Sequence, residues 1–415
     1  MSGAMPPGAQ WQENAGFMTK LLASLSPEFV QRYERDLYHC SSCNYCVDAV
    51  WPERGLNHVC ATMQQHTRAP GYSGRGFIEA ARAILDGVPL DGDALATRVF
   101  TCTTCGNCES ACPIGLRPAS IGQALRRELV NAGCVPEAVG AARADIVRDG
   151  NPYGTPRGAR ENWAEGLAPA PGAPTVTYFA GCAAVADAAE ARAGHALLAQ
   201  AGAAPSLGPA ACCGAALAEL GCAREADALA AAAAAALRAP AAPAVVAGCE
   251  CRRHLAQAAG VESAGLPGWL WSAVQSGAVA VKIKDGLGRP LRVHLLESCQ
   301  LKRTARGAPA TDEDAALALF AALGIEACNA GYPSAYALCC GAAGGMPRIQ
   351  PQAAARMARA RLPAGDIAVT VDPRCAAHLR QAARGTACAV YGFAEFVQAH
   401  CTLTPRRSGA GAQPQ

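Results

Sequence analysis

The chain has 415 residues, 22 of them cysteine, and a formal net charge of +3. That length allows two or three domains of roughly 150 residues each, so small size is no reason to collect cysteines. Lysine and arginine are scattered rather than gathered into a stripe with aromatic neighbours, which argues against nucleic acid as a partner. The longest apolar run, from Leu229 to Leu237, is stopped by Arg238 and Pro240, short of the 18 or so residues a membrane span needs.

The chain opens MSGAMPPGAQWQENAG, without the basic start and apolar run of a signal peptide. The expectation is a cytoplasmic chain with reduced thiols, in which cysteines at ligand spacings bind metal rather than one another. Residues 1–25 read as a flexible N-terminus.

From Ser26 to about residue 150 the pattern is helical. Phe77, Ile78, Ala81, Ile84 and Leu85 share one helix face, as do Ile121, Leu125 and Leu129 ahead of a terminating Gly133. Within this region Cys102, Cys105, Cys108 and Cys112, followed by Pro113, reproduce the bacterial ferredoxin run C-x2-C-x2-C-x3-C-P. In that run three thiolates wrap one cluster and the fourth reaches another. A zinc site has no use for such a triplet followed by Cys-Pro.

Cys40, Cys43 and Cys46 repeat the triplet, and the next cysteine, Cys60, follows after 13 residues. Crossed ligation assigns Cys40, Cys43, Cys46 and Cys112 to one [4Fe-4S] cluster and Cys60, Cys102, Cys105 and Cys108 to the other. The competing reading of Cys60 is a buried thiol in an insertion loop, with His58 as a substitute ligand. Two clusters in one small module form a wire for single electrons.

Residues 151–174, rich in Pro, Gly and Ala, read as a linker or an arm over a neighbouring domain. Beyond them the chain is duplicated, in modules expected at 175–283 and 290–401. TVTYFAGC ending at Cys182 matches LRVHLLESC ending at Cys299. Cys212-Cys213-Gly214 matches Cys339-Cys340-Gly341, and CRRHL from Cys251 matches CAAHL from Cys375. Both copies end in an aromatic amphipathic stretch, LPGWLWSAVQSG and VYGFAEFVQAH, and alternate short apolar runs (PAVVAGC, DIAVTVD) with alanine-rich helices, which is an α/β pattern. Residues 402–415 read as a disordered tail.

Adjacent cysteines such as Cys212 and Cys213 seldom serve packing alone, so both modules are candidate metal sites, with Cys182, Cys212, Cys213 and Cys251 in the first and Cys299, Cys339, Cys340 and Cys375 in the second. Cys249 offers an alternative thiolate beside Cys251. Cys134, Cys222, Cys328, Cys388 and Cys401 have no ligand spacing and read as small buried hydrophobes.

The run FTCTTCGNCESACPIGL, the stretch GYSGRGFIEAARAILDG, the segment GNPYG and the two CCG triplets together resemble the heterodisulfide reductase D-type family of CCG-domain (cysteine-rich domain) iron–sulfur proteins. That family includes the iron–sulfur subunits of glycolate, lactate and anaerobic glycerol-3-phosphate dehydrogenases. The resemblance implies an α+β protein: a mainly helical two-cluster ferredoxin-like domain followed by a duplicated α/β CCG domain. It also implies one or two further iron–sulfur centres, cubane or noncubane, in the CCG modules.

In the first copy 29 residues separate Cys182 from Cys212 and 36 separate Gly214 from Cys251; in the second the counts are 39 and 33. The family's final cysteine is replaced in both copies by histidine, His254 and His378, candidate ligands that also read as packing residues. The resemblance implies an electron-transfer subunit between a partner flavoprotein dehydrogenase and quinone or a membrane redox subunit, which would hold the chain at the inner face of the membrane. The alternative is a heterodisulfide reductase-like catalytic subunit acting on a disulfide, thiol or other sulfur substrate. No G-x-G-x-x-G follows a strand, so the flavin belongs to the partner.

Overall fold

Ser26 starts the first long helix by accepting the Phe29 N–H on its side-chain oxygen, and Pro27 at the first position cannot donate and need not. The computed structural model describes residues 20–48, 58–66, 68–167, 173–240, 242–284, 291–299, 301, 311–328 and 338–406. The N-terminal unit consists of α1 (Pro27–His39), α2 (Gly74–Leu85), α3 (Gly92–Val99), α4 (Asn107–Ala111), α5 (Pro118–Asn131) and α6 (Glu137–Asp149).

The expected apolar faces meet in one core. Phe77, Ile78, Ala81 and Ile84 of α2 lie against Ile121, Leu125 and Leu129 of α5 and against Phe29, Tyr33 and Leu37 of α1. The N-terminus departs from expectation. β1 (Leu21–Leu22) pairs antiparallel with β2 (Leu90–Asp91), and Leu22 is buried because it joins this core. Residues 20–25 are therefore part of the fold, while residues 1–19 lie outside the described residues.

The duplication is visible strand by strand. The first module contains β3 (Val176–Phe179), α7 (Ala188–Gln200), β4 (Pro205–Leu207), α8 (Ala215–Glu219), α9 (Ala223–Arg238), β5 (Ala244–Val246), α10 (Cys249–Ala259), β6 (Ser263–Ala264), α11 (Leu266–Gln275) and β7 (Val279–Ile283). The second contains β8 (Arg292–Leu295), α12 (Asp312–Ala322), β9 (Glu326–Ala327), α13 (Pro351–Arg359), β10 (Ile367–Thr370), α14 (Pro373–Ala383), β11 (Ala389–Gly392), α15 (Phe393–His400) and β12 (Cys401–Pro405). The sheet orders β4-β3-β5-β6 and β9-β8-β10-β11 are equivalent, and every pair within them is parallel. Burial on both faces explains the uninterrupted apolar run at each centre. The architecture is α+β, with helices predominating in the N-terminal unit.

Two further expectations change. Thr402 to Pro405 are strand rather than disordered tail: β12 pairs antiparallel with β7, Leu403 opposite Val281, so the last strands of the two modules meet. Cys401 and Leu403 are buried there, and residues 407–415 lie outside the described residues. Cys134, Cys222, Cys388 and Cys401 are buried, but Cys328 is half-exposed and its sulfur accepts from Arg292 Nε at 2.9 Å. It stands just past the short edge strand β9, where a neighbouring polar side chain can reach it.

Each module also grips the other's final helix. Glu190 of α7 accepts the Ala394 and Glu395 N–H groups at the start of α15, both at 3.0 Å. Asp312 of α12 does the same for the Gly268 N–H of α11 at 3.2 Å and pairs with Arg252 at 2.9 Å. Carboxylates suit helix N-termini, where unpaired N–H groups concentrate positive potential. The segment after α6 is an arm: Asn151, fully buried, ties Asp149, Tyr153 and Thr155 together, and Arg160 is buried against Gly150.

Glu190 generates a pH prediction. Burial, with Glu395 and Asp187 nearby, raises its carboxyl from 4.5 to about 8. Between those values the native chain holds a proton that the unfolded chain has released, so stability falls as pH rises through the interval and levels off above it. Glu190→Gln, which stays neutral, flattens this part of the profile, as melting temperatures measured from pH 5 to pH 8 will show.

Candidate functional site

Backbone geometry around the two cysteine triplets is the same. Ser42 and Asn44, between and beside Cys40, Cys43 and Cys46, have φ of 54° and 68°; Thr104 and Gly106, at the same offsets, have 55° and 73°. Left-handed residues at both places turn main-chain N–H groups towards one side, forming a concavity that suits a negatively charged group. Thr104 N lies 3.3 Å from Cys102 Sγ and Leu116 N 3.3 Å from Cys112 Sγ.

Cys40, Cys43, Cys46 and Cys112 line one small cavity with Asn44, Ile78 and Arg75. Cys112 thus joins the first triplet across the chain. Cys43 is exposed and Cys46 buried; burial, followed by the charges of Cys40, Cys112 and Cys43, pushes the Cys46 thiol up to about 12. Four such sulfurs gathered in one place can be thiolates together only where a cation offsets their repulsion, as an iron–sulfur cluster would.

Cys60 gathers with the second triplet. Burial raises its thiol, Cys105 and Cys102 add to the effect, and Cys60 in turn acts on Cys108. Met63 N donates to Cys60 Sγ at 3.4 Å. His58 has Arg68 and Asp48 as its charged neighbours instead. Cys46, Val47 and Met63 pack with Cys60 and Cys108, so the two cysteine sets are contiguous.

In the CCG modules each set is a series of touching sulfurs. Cys182 hydrogen-bonds Cys212, Cys212 hydrogen-bonds Cys213, and Cys213 donates to Cys251 Sγ at 3.1 Å, all as free thiols. In the second module Cys299 lies 4.0 Å from Cys339, Cys339 hydrogen-bonds Cys340, and Cys340 lies 3.2 Å from Cys375. The glycine closing each triplet has positive φ, 87° at Gly214 and 89° at Gly341, and directs its N–H at the first sulfur, Cys212 at 3.4 Å and Cys339 at 3.3 Å. Only glycine adopts this turn without strain. Such N–H···S bonds stabilise thiolate and tune any cluster it holds.

Cys249 stands apart. Two residues before Cys251 and so on the other side of α10, it packs in the apolar core with Val176, Val245 and Leu266. The histidines lie behind the CCG turns: His378 Nε2 is 3.2 Å from the Ala354 carbonyl, and His254 sits by the equivalent carbonyl of Ala226. Burial lowers both imidazoles and favours their neutral forms.

The two ends of the chain meet at Cys105, whose side chain hydrogen-bonds Cys339 of the second module. Gly344 makes that approach possible. With φ of 69°, it lies so close to Cys102 and Thr103 that a Cβ would strike the Cys102 carbonyl. The groups that hold this junction carried no motif. Arg374, buried, reaches both oxygens of Glu219 at 3.0 Å and lies 3.6 Å from Glu250. Glu219 also accepts the Gly344 N–H at 2.8 Å. Arg160 lies beside Cys182 and Cys212, lowering the Cys212 thiol after its sulfur neighbours have done so. A cavity of about 700 Å³ opens beside the junction, lined by Thr104, Cys105, Arg127, Arg253, His254 and Cys299 among others.

Two known domain families match segments of the chain. Residues 34–116 match the 4Fe-4S dicluster domain, and residues 176–256 and 293–380 each match the cysteine-rich domain, CCG. The chain is 31% identical over 170 residues to a protein of Bacillus subtilis strain 168 described as probable iron-sulfur-binding oxidoreductase FadF, an alignment that covers 33% of this chain and 24% of that one. The chain thus spans about a quarter of that relative's length. No solved structure matches.

Gly344→Ala tests the junction. The added methyl group must move the second module away from Cys102, and the expected cost is about 2 kcal/mol, within the usual range for a strained or overpacked buried site. A urea midpoint unchanged from wild type would remove Gly344 from this role.

Proposed function

The chain belongs to the iron–sulfur proteins that join a 4Fe-4S dicluster domain to cysteine-rich CCG domains, and on that premise we propose that it is the electron-transfer subunit of an oxidoreductase complex. In this reading Cys40, Cys43, Cys46 and Cys112 hold one [4Fe-4S] cluster, and Cys60, Cys102, Cys105 and Cys108 hold a second. Iron–sulfur clusters supply single-electron transfer when bound. The partners are a flavoprotein dehydrogenase on one side and quinone, or a membrane redox subunit, on the other. Among the described residues no helix is long and apolar enough to cross a membrane, so a membrane association would come through such a partner.

One observation carries the reading: the cysteine sets are contiguous from surface to interior. Exposed Cys43 belongs to the first set, Cys46 packs with Cys60 and Cys108 of the second, and Cys105 hydrogen-bonds Cys339 of the second CCG module. Ile114 and Tyr45, 55% and 47% exposed, flank the surface set. Apolar groups beside an exposed cysteine set suit a face that meets another redox protein.

The cavity beside Cys105 and Cys299 favours a second reading, catalysis on a small sulfur substrate at a CCG centre. Its size is that of a small-molecule site, and its arginines and His254 can orient a polar ligand.

Iron and acid-labile sulfide analysis with EPR of anaerobically purified protein separates the two, comparing wild type with Cys339→Ser/Cys340→Ser. Electron transfer through the dicluster domain requires about eight irons and signals in the dithionite-reduced protein that survive the double substitution. Fewer than about eight irons in the wild type would overturn it. A further signal that disappears in the double variant places a redox centre in the second module and makes sulfur substrates the next assay.

A further inference from the structure

Arg126 is the largest fully buried side chain among the described residues, and its partners are unusual for a buried cation. Nε and Nη2 donate to the Val99 carbonyl at 3.2 and 3.0 Å, and Nη2 also donates to the Cys102 carbonyl. Nη1 donates to the Glu219 carbonyl at 2.6 Å and the Gly344 carbonyl at 3.2 Å. The guanidinium lies over the Phe100 ring, 5.0 Å from its centre. Every hydrogen bond described for it ends on a main-chain carbonyl.

A desolvated charge is costly unless an opposite charge stands near it. Arg374, the other deeply buried arginine at this junction, has Glu219, Glu250 and Asp372 around it. The carboxylate that acts on Arg126 is the same Glu219, whose two oxygens are already engaged by Arg374 and the Gly344 N–H. What remains close to Arg126 is Cys102, a member of the second cysteine set.

We infer that Arg126 is the counter-charge of the group held by Cys60, Cys102, Cys105 and Cys108, a positioning residue that raises that centre's reduction potential above what its thiolates alone would set. The inference rests on the reading that these four cysteines hold a cluster. Reduction adds one negative charge to the centre, and a fixed cation in a water-excluded site favours the added charge. Carbonyl partners orient the guanidinium and carry no net charge to neutralise it, so its field reaches Cys102. The solvent-facing Cys40–Cys112 set lies outside this shell and supplies an internal control.

The test is an EPR-monitored redox titration of the intact chain. Arg126→Met is expected to make reduction of the second-set centre at least tenfold less favourable, a downward shift of about 59 mV for one electron, while the Cys40–Cys112 centre keeps its potential. Arg126→Lys, which retains the charge but not the fork, is expected to restore most of the potential even where it melts at a lower temperature. Glu219→Gln, which removes the carboxylate charge that acts on Arg126, is expected to shift the second-set potential upward and decides the matter if Arg126→Met does not fold. An unchanged potential in a fully loaded Arg126→Met or Glu219→Gln protein overturns the inference, as does an Arg126→Lys potential as low as that of the methionine variant. Absence of the second-set signal in the wild type would instead overturn the ligand assignment on which the inference rests.

Discussion

Glu219 is where the three units of the chain are tied together. Its carboxylate receives Arg374 and the Gly344 N–H from the second CCG module, and its carbonyl receives Arg126 from the helical domain, while the residue itself belongs to the first module. All of these groups are buried. In a low-dielectric interior, moving one unit away from the others strands a charge or a polar group, and such losses cost more than the bonds gain when made. The relative placement of the cysteine sets therefore depends on a salt bridge and a few main-chain bonds that no cysteine spacing announces.

Duplication explains the two modules' shared parts, and their different neighbours explain why the copies are not interchangeable. Both have a central apolar strand, a CCG turn closed by a left-handed glycine, a histidine behind that turn and a carboxylate that caps the other module's last helix. The second copy alone presses a Gly344 loop against Cys102 and touches Cys105. The first copy faces the arm between the domains, where Cys182 Sγ lies 3.6 Å from the Gly150 carbonyl and Arg160 stands beside the sulfurs. Two chemically similar sets of four thiols thus have different neighbours: the second adjoins another cysteine set, and the first adjoins the arm and its Arg160.

The cysteine sets, the helical faces of residues 77–84 and 121–129 and the repeat were legible in the sequence because each rests on local spacing. The spacing also leads to the expectation that Cys112 turns towards the first triplet, and Cys112 lines one cavity with Cys40, Cys43 and Cys46. Arg126, Arg160, Arg374 and Glu219 were not legible, because a charged side chain carries no local mark of burial and its partners lie dozens to hundreds of residues away. The tail was misread for a related reason: CTLTP is too short to announce a strand, and its partner, Val279–Ile283, lies in the other module. The arm was half legible. Its glycines and prolines exclude regular structure, but nothing in them shows that Asn151 and Arg160 are buried.

The placement of cations follows from where solvent can and cannot reach the thiolates. Around the first cysteine set water is available, Cys43 is exposed, and the nearby cations are Arg75, which also pairs with Glu79 at the surface, and half-buried Arg82, which donates to the Cys40 carbonyl at 3.1 Å. Solvent screens charge there, and among the described residues no arginine beside the set is fully buried. The second set and the first CCG set lie deeper, and each has a buried arginine against it, Arg126 and Arg160. A thiolate site removed from water needs positive charge that the fold must provide. The depth of a cysteine set therefore dictates how much of its electrostatic environment is written in the chain and how much is left to solvent. The chain places its buried cations where water cannot serve.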